Sequence, residues 1–224
     1  MLKRTLPSLN LRSLTQSLSL SYDQRLKQEK LDSDLEILEK SKWLADLISS
    51  SKHFIVFTGA GLSTSVGIPD YRSPQDTLIK TGAGAYELPE EVSQEERMKW
   101  QKEIRRQVQS AIPSVSHMAI EALVRAGHLK HVISQNTDAL HLKSGVPFHK
   151  LTELHGNTNI EYCSECSKLY FRDYRCRNSE EPRFHLTGRK CTQNNCEGDL
   201  ADEIVHFGES IPKPKLVEAL QQAA

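Results

Sequence analysis

The chain has 224 residues, enough for one domain or for one domain with a small insertion. Basic and acidic residues number 29 each, so the formal net charge is zero and gives no general electrostatic case for binding nucleic acid or a membrane surface. The longest apolar-rich run, Phe54 to Phe57, has the length of a strand rather than of a membrane-spanning helix.

The N-terminal segment differs in composition from the rest of the chain. The first 22 residues carry three basic residues but no acidic one, and they are rich in serine and leucine. This composition is typical of a mitochondrial transit peptide, and it suits a disordered basic tail equally well. We therefore expect residues 1–30 to lie outside the folded core, as a disordered or targeting segment.

The first predicted helix spans residues 34–48, where leucine and isoleucine recur at helical spacing. Ser33, followed three residues later by Glu36, predicts a capping box at its N-terminus. The apolar run 54–57 then predicts a buried strand that ends in the turn 58–61.

Helices and short strands alternate along the rest of the chain. Polar and charged residues over 91–109 predict an exposed helix, residues 118–124 predict a second helix, and residues 216–224 predict a helical tail. Short apolar runs predict further strands at 131–135, 151–154 and 203–207. This alternation predicts an α/β fold built on a parallel sheet.

Four of the five cysteines form two close pairs, Cys-x2-Cys and, after 24 residues, Cys-x4-Cys. Two such pairs suit one tetrahedral zinc ion, which would be structural because four thiolates leave no open coordination position. The ligands would be Cys163, Cys166, Cys191 and Cys196. Disulfide pairing is the weaker alternative, since we expect no secretory signal. Cys176 would be a free thiol, whose pKa the flanking Arg175 and Arg177 could lower.

The turn Gly59-Ala60-Gly61 follows directly after a predicted strand. Glycine lets a backbone approach a phosphate closely, so the turn suits a dinucleotide. The full glycine spacing of the common Rossmann fingerprint is absent, however, and an ordinary tight turn is an equally good interpretation of these residues alone.

Four ordered segments resemble motifs of the sirtuin family. They are TGAGLSTSVGIPDYR at 58–72, SQNTDALH at 134–141, ELHGN at 153–157 and VHFGE at 205–209. The cysteine pairs lie between the last two segments, in the family order. The resemblance covers about residues 34–212, and SQNTDALHLKSGVP and IVHFGE are most similar to the nuclear, nucleolar-type branch.

The resemblance implies a Rossmann-like NAD-binding domain, over 31–160 and 200–224, with a small zinc-binding module inserted at 161–199. In the family, later strands carry a Gly-Thr-Ser segment and an asparagine near the adenosine ribose. Neither occurs in the 15 residues after Glu209, so we expect the cofactor half to be C-terminally incomplete.

The activity implied is that of an NAD-dependent protein-lysine deacylase, which transfers the acyl group to ADP-ribose and releases nicotinamide. His155, Asn136 and Asp138 match the family's catalytic positions, and a neutral imidazole suits proton removal from a ribose hydroxyl. By the same resemblance, NAD would be bound by Gly59, Ala60, Gly61, Ile68, Asp70, Tyr71, Arg72, Gln135, Asn136 and Asp138. A substrate peptide would pair with the backbone of Val205, His206, Phe207 and Gly208. Ala139 stands where the family usually has glycine.

Two other functions stay open at this point. Protein mono-ADP-ribosyl transfer uses the same cleavage of NAD, and a catalytically inert zinc-binding interaction module would need no complete cofactor site. The expected partner is a protein with an acylated lysine, for example a histone. The family branch predicts the nucleus, whereas the acid-free N-terminal segment predicts the mitochondrion.

Overall fold

The protein is represented by a computed structural model that describes residues 32–71, 93–178 and 184–224. The predicted tail at 1–30 and the cofactor residue Arg72 lie outside the described residues. The chain divides between Ser50 and Ser51 into two units, and each is treated by itself. None of the described helices combines the length and the apolar character needed to cross a bilayer.

The first unit contributes helix α1 (Asp34–Ser50), which begins with the predicted capping box. The backbone N–H of Glu36 donates to Ser33 Oγ at 3.3 Å, and the backbone N–H of Ser33 donates to the Glu36 carboxylate at 2.7 Å. These bonds satisfy backbone donors for which a helix N-terminus has no internal partner. Both the helix and its cap are confirmed.

The second unit is built around a three-stranded parallel sheet in the order β1-β2-β3. The strands are β1 (Phe54–Thr58), β2 (Leu129–Ser134) and β3 (Leu151–Glu153). Parallel neighbours need long crossover connections. Helices α2 (Gln94–Ser110) and α3 (Val115–Arg125) lie within the connection from β1 to β2. The predicted α/β fold with a parallel sheet is therefore confirmed.

The central strand β2 packs on both of its faces. Val132 and Ile133 are consecutive and so point to opposite sides of the sheet. A short helix, α4 (Leu140–Lys143), follows β2, and helix α5 (Lys213–Ala223) lies at the C-terminal end of the chain. Val132 belongs to an apolar cluster with Ile120 of α3, whereas Ile133 packs with Ala219 of α5. The predicted C-terminal helix thus covers the sheet face that α3 does not.

A second sheet has four antiparallel strands in the order β5-β4-β7-β6. They are β4 (Ile160–Cys163), β5 (Leu169–Phe171), β6 (Leu186–Lys190) and β7 (Asp199–Asp202). This sheet carries the four cysteines of the predicted zinc site at or near its strand ends. The domain boundaries predicted at 161 and 199 stay a prediction, and strands β4 and β7 extend across them.

The strand predicted at 203–207 is wrong. Residues 203–206 pair with no strand of the described chain, and a turn follows at Phe207 and Gly208. Gly208 has a φ of +84°, and the backbone N–H of Glu209 donates to the carbonyl of His206 at 3.0 Å. The chain therefore folds back on itself at this point instead of continuing in an extended conformation.

Candidate functional site

Polar residues gather at the carboxyl edge of the parallel sheet. The turn 59–71 follows β1, residues 135–139 follow β2, and His155 comes shortly after the end of β3. This is the edge at which open parallel sheets bind their ligands. The fold therefore brings together three of the four sequence motifs that carry the family resemblance.

The glycine-rich turn after β1 leaves its backbone accessible. A Cβ built on Gly59 or Gly61 would meet no heavy atom within 4 Å among the described residues. Gly59 has a φ of −140°, which any residue can adopt. Since neither space nor backbone conformation requires glycine at Gly59, the open turn supports the interpretation that a ligand approaches there.

The segment after β2 is hydrogen-bonded to this turn. Ser63 Oγ donates to Asp138 Oδ2 at 2.6 Å, and the backbone N–H of Leu140 donates to Asp138 Oδ1 at 2.9 Å. Asn136 Nδ2 donates to the carbonyl of Gly59 at 3.0 Å. Ser63, Asn136 and Asp138 are all buried, so the two segments form one polar wall. Ser63 lies inside the first motif, but nothing in the sequence alone indicated its contact with Asp138.

Ala139, the departure from the family pattern, is buried and has a φ of +63°. Residues other than glycine rarely adopt this left-handed conformation, because their Cβ crowds the backbone. The conformation therefore gives a physical reason for glycine at this position, and alanine fits it at a cost of about 1–2 kcal/mol.

His155 is half-buried, and its Nδ1 lies 3.0 Å from the carbonyl oxygen of Gln135. A carbonyl oxygen can only accept a hydrogen bond, so Nδ1 carries the proton. In the neutral ring Nε2 is then the unprotonated nitrogen, and this nitrogen can accept a proton from a hydroxyl group. The backbone after β2 thus fixes the His155 ring with Nε2 as its hydrogen-bond acceptor.

A buried carboxyl group supports the loop that carries His155. Asn157 Nδ2 donates to both oxygens of Glu153, at 2.9 and 2.8 Å, and Asn157 Oδ1 accepts from the backbone N–H of Asn159 at 2.8 Å. Burial raises the pKa of Glu153 to about 8. Both residues lie in the ELHGN motif, but nothing in the sequence alone indicated a role for either. Their pairing ties the two ends of the loop together.

Residues 203–209, called the crossing segment below, pass directly over Gly156. A Cβ on Gly156 would lie 1.9 Å from the carbonyl oxygen of Glu203, and Gly156 has a φ of +82°. The backbone N–H of Val205 donates to the carbonyl of His155 at 3.0 Å. Glycine at 156 therefore lets the crossing segment lie against the backbone of the candidate base.

Two cavities lie at this edge of the sheet. The main cavity, of about 780 Å³, is lined by His155, by Asn136 and by the predicted peptide-binding residues Val205, His206, Phe207 and Gly208. The side cavity, of about 200 Å³, is lined by Ile68 and Asp138. The residues that line both cavities are Ala60, Asp70, Tyr71, Gln135, Asn136 and Thr137. Of the predicted cofactor residues that the structure describes, all except Gly59 line at least one of these cavities, and Gly61 lines the main cavity only.

Helix α2 confirms the helix predicted over 91–109, within the described residues from 93 onward, but its predicted exposure is only partly right. Trp100, Ile104 and Val108 recur every four residues, are half-buried, and line the side cavity. This spacing puts them on one face of the helix. The four-residue spacing of these apolar residues is present in the sequence, but the many charged residues between them favoured the prediction of a fully exposed helix.

The four cysteines converge at the second sheet, with all their Sγ atoms within 4.8 Å of one another. Two of the separations are 3.5 Å, between Cys163 and Cys196, and 3.7 Å, between Cys166 and Cys191. Thiolates at about 2.3 Å from a tetrahedral zinc ion lie roughly 3.8 Å apart, whereas bonded sulfurs lie about 2.05 Å apart. The donor set therefore fits one zinc ion and not two disulfides.

Tyr170 supports this cluster from outside. Its hydroxyl lies 3.0 Å from Cys191 Sγ and accepts a hydrogen bond from the backbone N–H of Thr192 at 2.9 Å, so it is oriented to donate to the sulfur. This bond lowers the pKa of Cys191 to about 6, which favours the thiolate that a metal requires. Nothing in the sequence alone indicated this role for Tyr170.

Cys176 lies apart from the cluster and is fully buried. Burial raises the pKa of its thiol to about 12, so the idea that the flanking arginines lower it is wrong. The physical reason lies in the partners of those arginines. Arg177 is paired with Asp202 at 3.0 Å, and Arg175 donates to the carbonyl of Arg177 at 2.8 Å.

A sequence model described as the Sir2 family matches residues 59–224. The NAD-dependent protein deacetylase SRT1 of Oryza sativa subsp. indica is 38% identical over 198 residues, which cover 87% of this chain and 37% of that protein. SRT1 of Arabidopsis thaliana is 41% identical over 185 residues, 82% of this chain and 35% of that protein. Sirtuin-7 of Rattus norvegicus is 37% identical over 208 residues, 89% of this chain and 46% of that protein. The chain thus spans less than half the length of these relatives.

Solved structures of Sir2 proteins are also similar to this chain. A complex of a Sir2 homologue with NAD superposes with a TM-score of 0.52 at 28% identity, over 81% of this chain and 67% of the other. A Sir2 protein bound to an acetylated peptide superposes with a TM-score of 0.52 at 30% identity, over 81% and 70%.

Proposed function

The chain belongs to the Sir2 family, and we propose that it carries the catalytic centre of an NAD-dependent protein-lysine deacylase. In this reaction nicotinamide leaves the ribose carbon that the acyl oxygen attacks, the acyl group passes from the lysine nitrogen to a ribose oxygen of ADP-ribose, one water molecule is consumed, and the free lysine amine remains on the protein. The relatives named above are NAD-dependent protein deacetylases, and solved Sir2 structures hold NAD or an acetylated peptide.

The observation that carries the proposal is the position and tautomer of His155. Its ring accepts protons at Nε2, because Nδ1 donates to Gln135, and it lines the main cavity together with the crossing segment. A cavity of about 780 Å³ lies in the size range of small-molecule sites. His155 would remove a proton from a ribose hydroxyl, and this would let that oxygen take the acyl carbon.

The other predicted residues would bind and orient the reactants. NAD, when bound, supplies the electrophilic ribose carbon that the acyl oxygen attacks. Asp138 and Ile68 would hold the nicotinamide end in the side cavity, and Asn136 would orient a water molecule or the ribose beside them. The backbone of Val205–Gly208 would bind the substrate peptide by main-chain hydrogen bonds, which suits many peptide sequences.

A single zinc ion, held by the four cysteine thiolates, would have a structural role. Four sulfur ligands leave no coordination position for a reactant. The ion would cross-link the strand ends and turns that carry the four cysteines. In modules of this kind metal binding and folding are coupled.

The proposal is tested with the zinc-loaded 224-residue chain. NAD binding is measured by calorimetry, and the products formed from an acetylated peptide are identified by mass spectrometry, with His155→Ala as the activity control. Free lysine and acyl-ADP-ribose in equal amounts are expected. A folded, zinc-loaded chain that binds no NAD would support the inert-module alternative, and ADP-ribose attached to protein would support the transferase alternative.

We also propose a nuclear location, which the similarity to sirtuin-7 supports. A fluorescent fusion with and without residues 1–22 distinguishes this from the mitochondrial alternative. Mitochondrial import that is lost with the segment would refute the nuclear proposal. A histone as the substrate protein stays a prediction.

A further inference from the structure

Two carboxylates flank the crossing segment, and one histidine joins them. Asp202 is the last residue of β7, and Glu209 is the last residue of the crossing segment. His185 Nδ1 lies 3.2 Å from Asp202 Oδ1, and His185 Nε2 lies 3.1 Å from Glu209 Oε1. One imidazole therefore connects the two ends of the segment that lines the main cavity.

The same carboxylates also hold the backbone between them. Asp202 Oδ1 accepts from the backbone N–H of Ile204 at 3.0 Å, and Glu209 Oε2 accepts from the backbone N–H of His206 at 2.7 Å. These donors lie on either side of Val205. A shift of either carboxylate would therefore move the part of the backbone that is proposed to pair with a peptide.

Packing alone gives the crossing segment little support. On one side it lines the main cavity, and on the other it lines a rear cavity of about 500 Å³. Ile204, Val205 and Glu209 contribute to the walls of both cavities. Because a segment with open space on two sides has few neighbours to fix it, the hydrogen bonds at its ends must hold its shape.

The bridge, meaning the contacts of His185 with Asp202 and with Glu209, requires a charged imidazole. An ionised carboxylate only accepts hydrogen bonds, so both ring nitrogens of His185 must donate. Burial alone would lower the pKa of His185, but the hydrogen bonds to Glu209 and Asp202 outweigh it and raise the pKa. The neighbouring ring of His206, at 5.7 Å, has a pKa that burial lowers, so His206 loses its charge at a lower pH than His185 does.

The other charged groups around the bridge are paired. Arg177 Nη1 donates to the second oxygen of Asp202 at 3.0 Å, and Lys215 Nζ lies 3.2 Å from the Glu203 carboxylate. Arginine stays charged throughout the pH range, so Arg177 holds the Asp202 side chain in place while His185 titrates. The titration of His185 is therefore the event that opens or closes the bridge.

We propose that His185 is a positioning residue for substrate binding: its charged ring clasps Asp202 to Glu209 and so holds the crossing segment in the shape that accepts a peptide. The proposal rests on the deacylase function proposed above. It also assigns the second sheet a part in that function, because Asp202 lies on β7, whose neighbour β4 carries the zinc ligand Cys163.

The clasp is tested with three variants of the zinc-loaded chain. His185→Ala removes both bridging donors. His185→Arg keeps two donors and a charge that does not titrate, so it should restore the bridge. His128→Ala is the matched control, because His128 is an exposed histidine outside the cavities. Each variant is examined for peptide KM and kcat, for peptide affinity without NAD, and for amide hydrogen exchange of residues 203–209.

We expect His185→Ala to raise the peptide KM about tenfold, as for the loss of one charge-assisted hydrogen bond, while kcat changes less than about twofold. In the unmodified protein peptide affinity should be full at low pH, where His185 is charged, and should fall as the pH rises through the raised pKa of His185. His185→Arg should keep the affinity and remove this pH dependence, and His128→Ala should match the unmodified protein.

Hydrogen exchange separates a failure of the clasp from a failure of the deacylase proposal, because it needs no turnover. Faster exchange of residues 203–209 in His185→Ala, reversed in His185→Arg, supports the clasp even if no deacylation is seen. Unchanged exchange and unchanged peptide affinity in a folded His185→Ala protein would overturn the clasp, whether or not the chain deacylates peptides.

Discussion

Replacing Gly156 by alanine is expected to displace the crossing segment from the candidate base. The added Cβ would lie 1.9 Å from the carbonyl oxygen and 2.5 Å from the carbonyl carbon of Glu203, both of which are backbone atoms that cannot rotate away. The segment must therefore move, and the hydrogen bond from the Val205 N–H to the His155 carbonyl would be lost. Peptide turnover should fall more steeply than NAD affinity, because the glycine-rich turn 59–61, which is proposed to bind NAD, is not part of the crossing segment.

Gly127 provides a matched control that separates this clash from backbone strain. It has a φ of +78°, close to the +82° of Gly156, but a Cβ there would meet no heavy atom within 4 Å in the described part of the chain. Gly127→Ala should therefore cost only the left-handed strain, about 1 kcal/mol. Gly156→Ala should have the same strain and lose, in addition, about 1 kcal/mol for the hydrogen bond and about 1–3 kcal/mol for overpacking. We therefore expect it to lower the free energy of unfolding by about 3–5 kcal/mol in total.

Urea unfolding of the two zinc-loaded variants measures this difference, and peptide KM and kcat are measured at low temperature, where Gly156→Ala remains folded. A cost of about 3–5 kcal/mol is a large part of the stability of a typical domain. The reasoning would be refuted by equal losses of stability in the two variants, or by a Gly156→Ala protein with unchanged turnover. Either result would mean that the segment does not cross Gly156 as closely as the structure has it.

Three further changes test other parts of the molecule. Tyr170→Phe removes the donor to Cys191 and should weaken zinc retention about 10- to 100-fold in a chelator competition, with Tyr174→Phe as the control. Glu153 has a raised pKa of about 8, so its contribution to stability is fully present below its ordinary pKa and is lost as the pH rises through 8. The free energy of unfolding, measured with urea from pH 5 to 9, should fall by up to about 1.4 kcal/mol per pH unit, and Glu153→Gln should abolish this fall. An unchanged slope in the variant would contradict the raised pKa of Glu153. Cys176 should resist alkylation at neutral pH in the folded protein and react after unfolding, because burial raises its pKa to about 12, and rapid labelling of the folded chain would contradict its burial.

The elements that the sequence predicted well are those whose signals are local. The Ser33–Glu36 cap and helix α1 need only helical spacing and one motif, and the parallel sheet follows from the alternation of strands with helices. The strands of the second sheet were not predicted individually, because segments such as Leu169–Phe171 are short and depend on pairing with distant neighbours. The apolar run at 203–207 looked like a strand, but Gly208 in the left-handed region and the turn at Glu209 outweigh its composition.

The same distinction holds for the candidate site. The motifs singled out His155 and Asp138, and each of these residues lines a cavity at the carboxyl edge of the parallel sheet. What fixes those side chains was not predictable, because their partners come from other parts of the chain. The side chain that donates to Asp138 belongs to Ser63, and the carbonyl that orients His155 belongs to Gln135. Such pairs become visible only when β1, β2 and β3 are placed side by side.

Zinc would influence the reaction through the position of the substrate and not through its chemistry. The described residues proposed for NAD follow strands β1 and β2 of the parallel sheet, where Asn136 and Asp138 bond to the turn after β1. The crossing segment instead continues from β7 of the zinc-bearing sheet. Partial removal of zinc should therefore raise the peptide KM while NAD affinity stays within about twofold, as measured by calorimetry across a chelator titration. A parallel loss of both affinities would show that the two sheets unfold as one unit and that the crossing segment has no separate dependence on the metal.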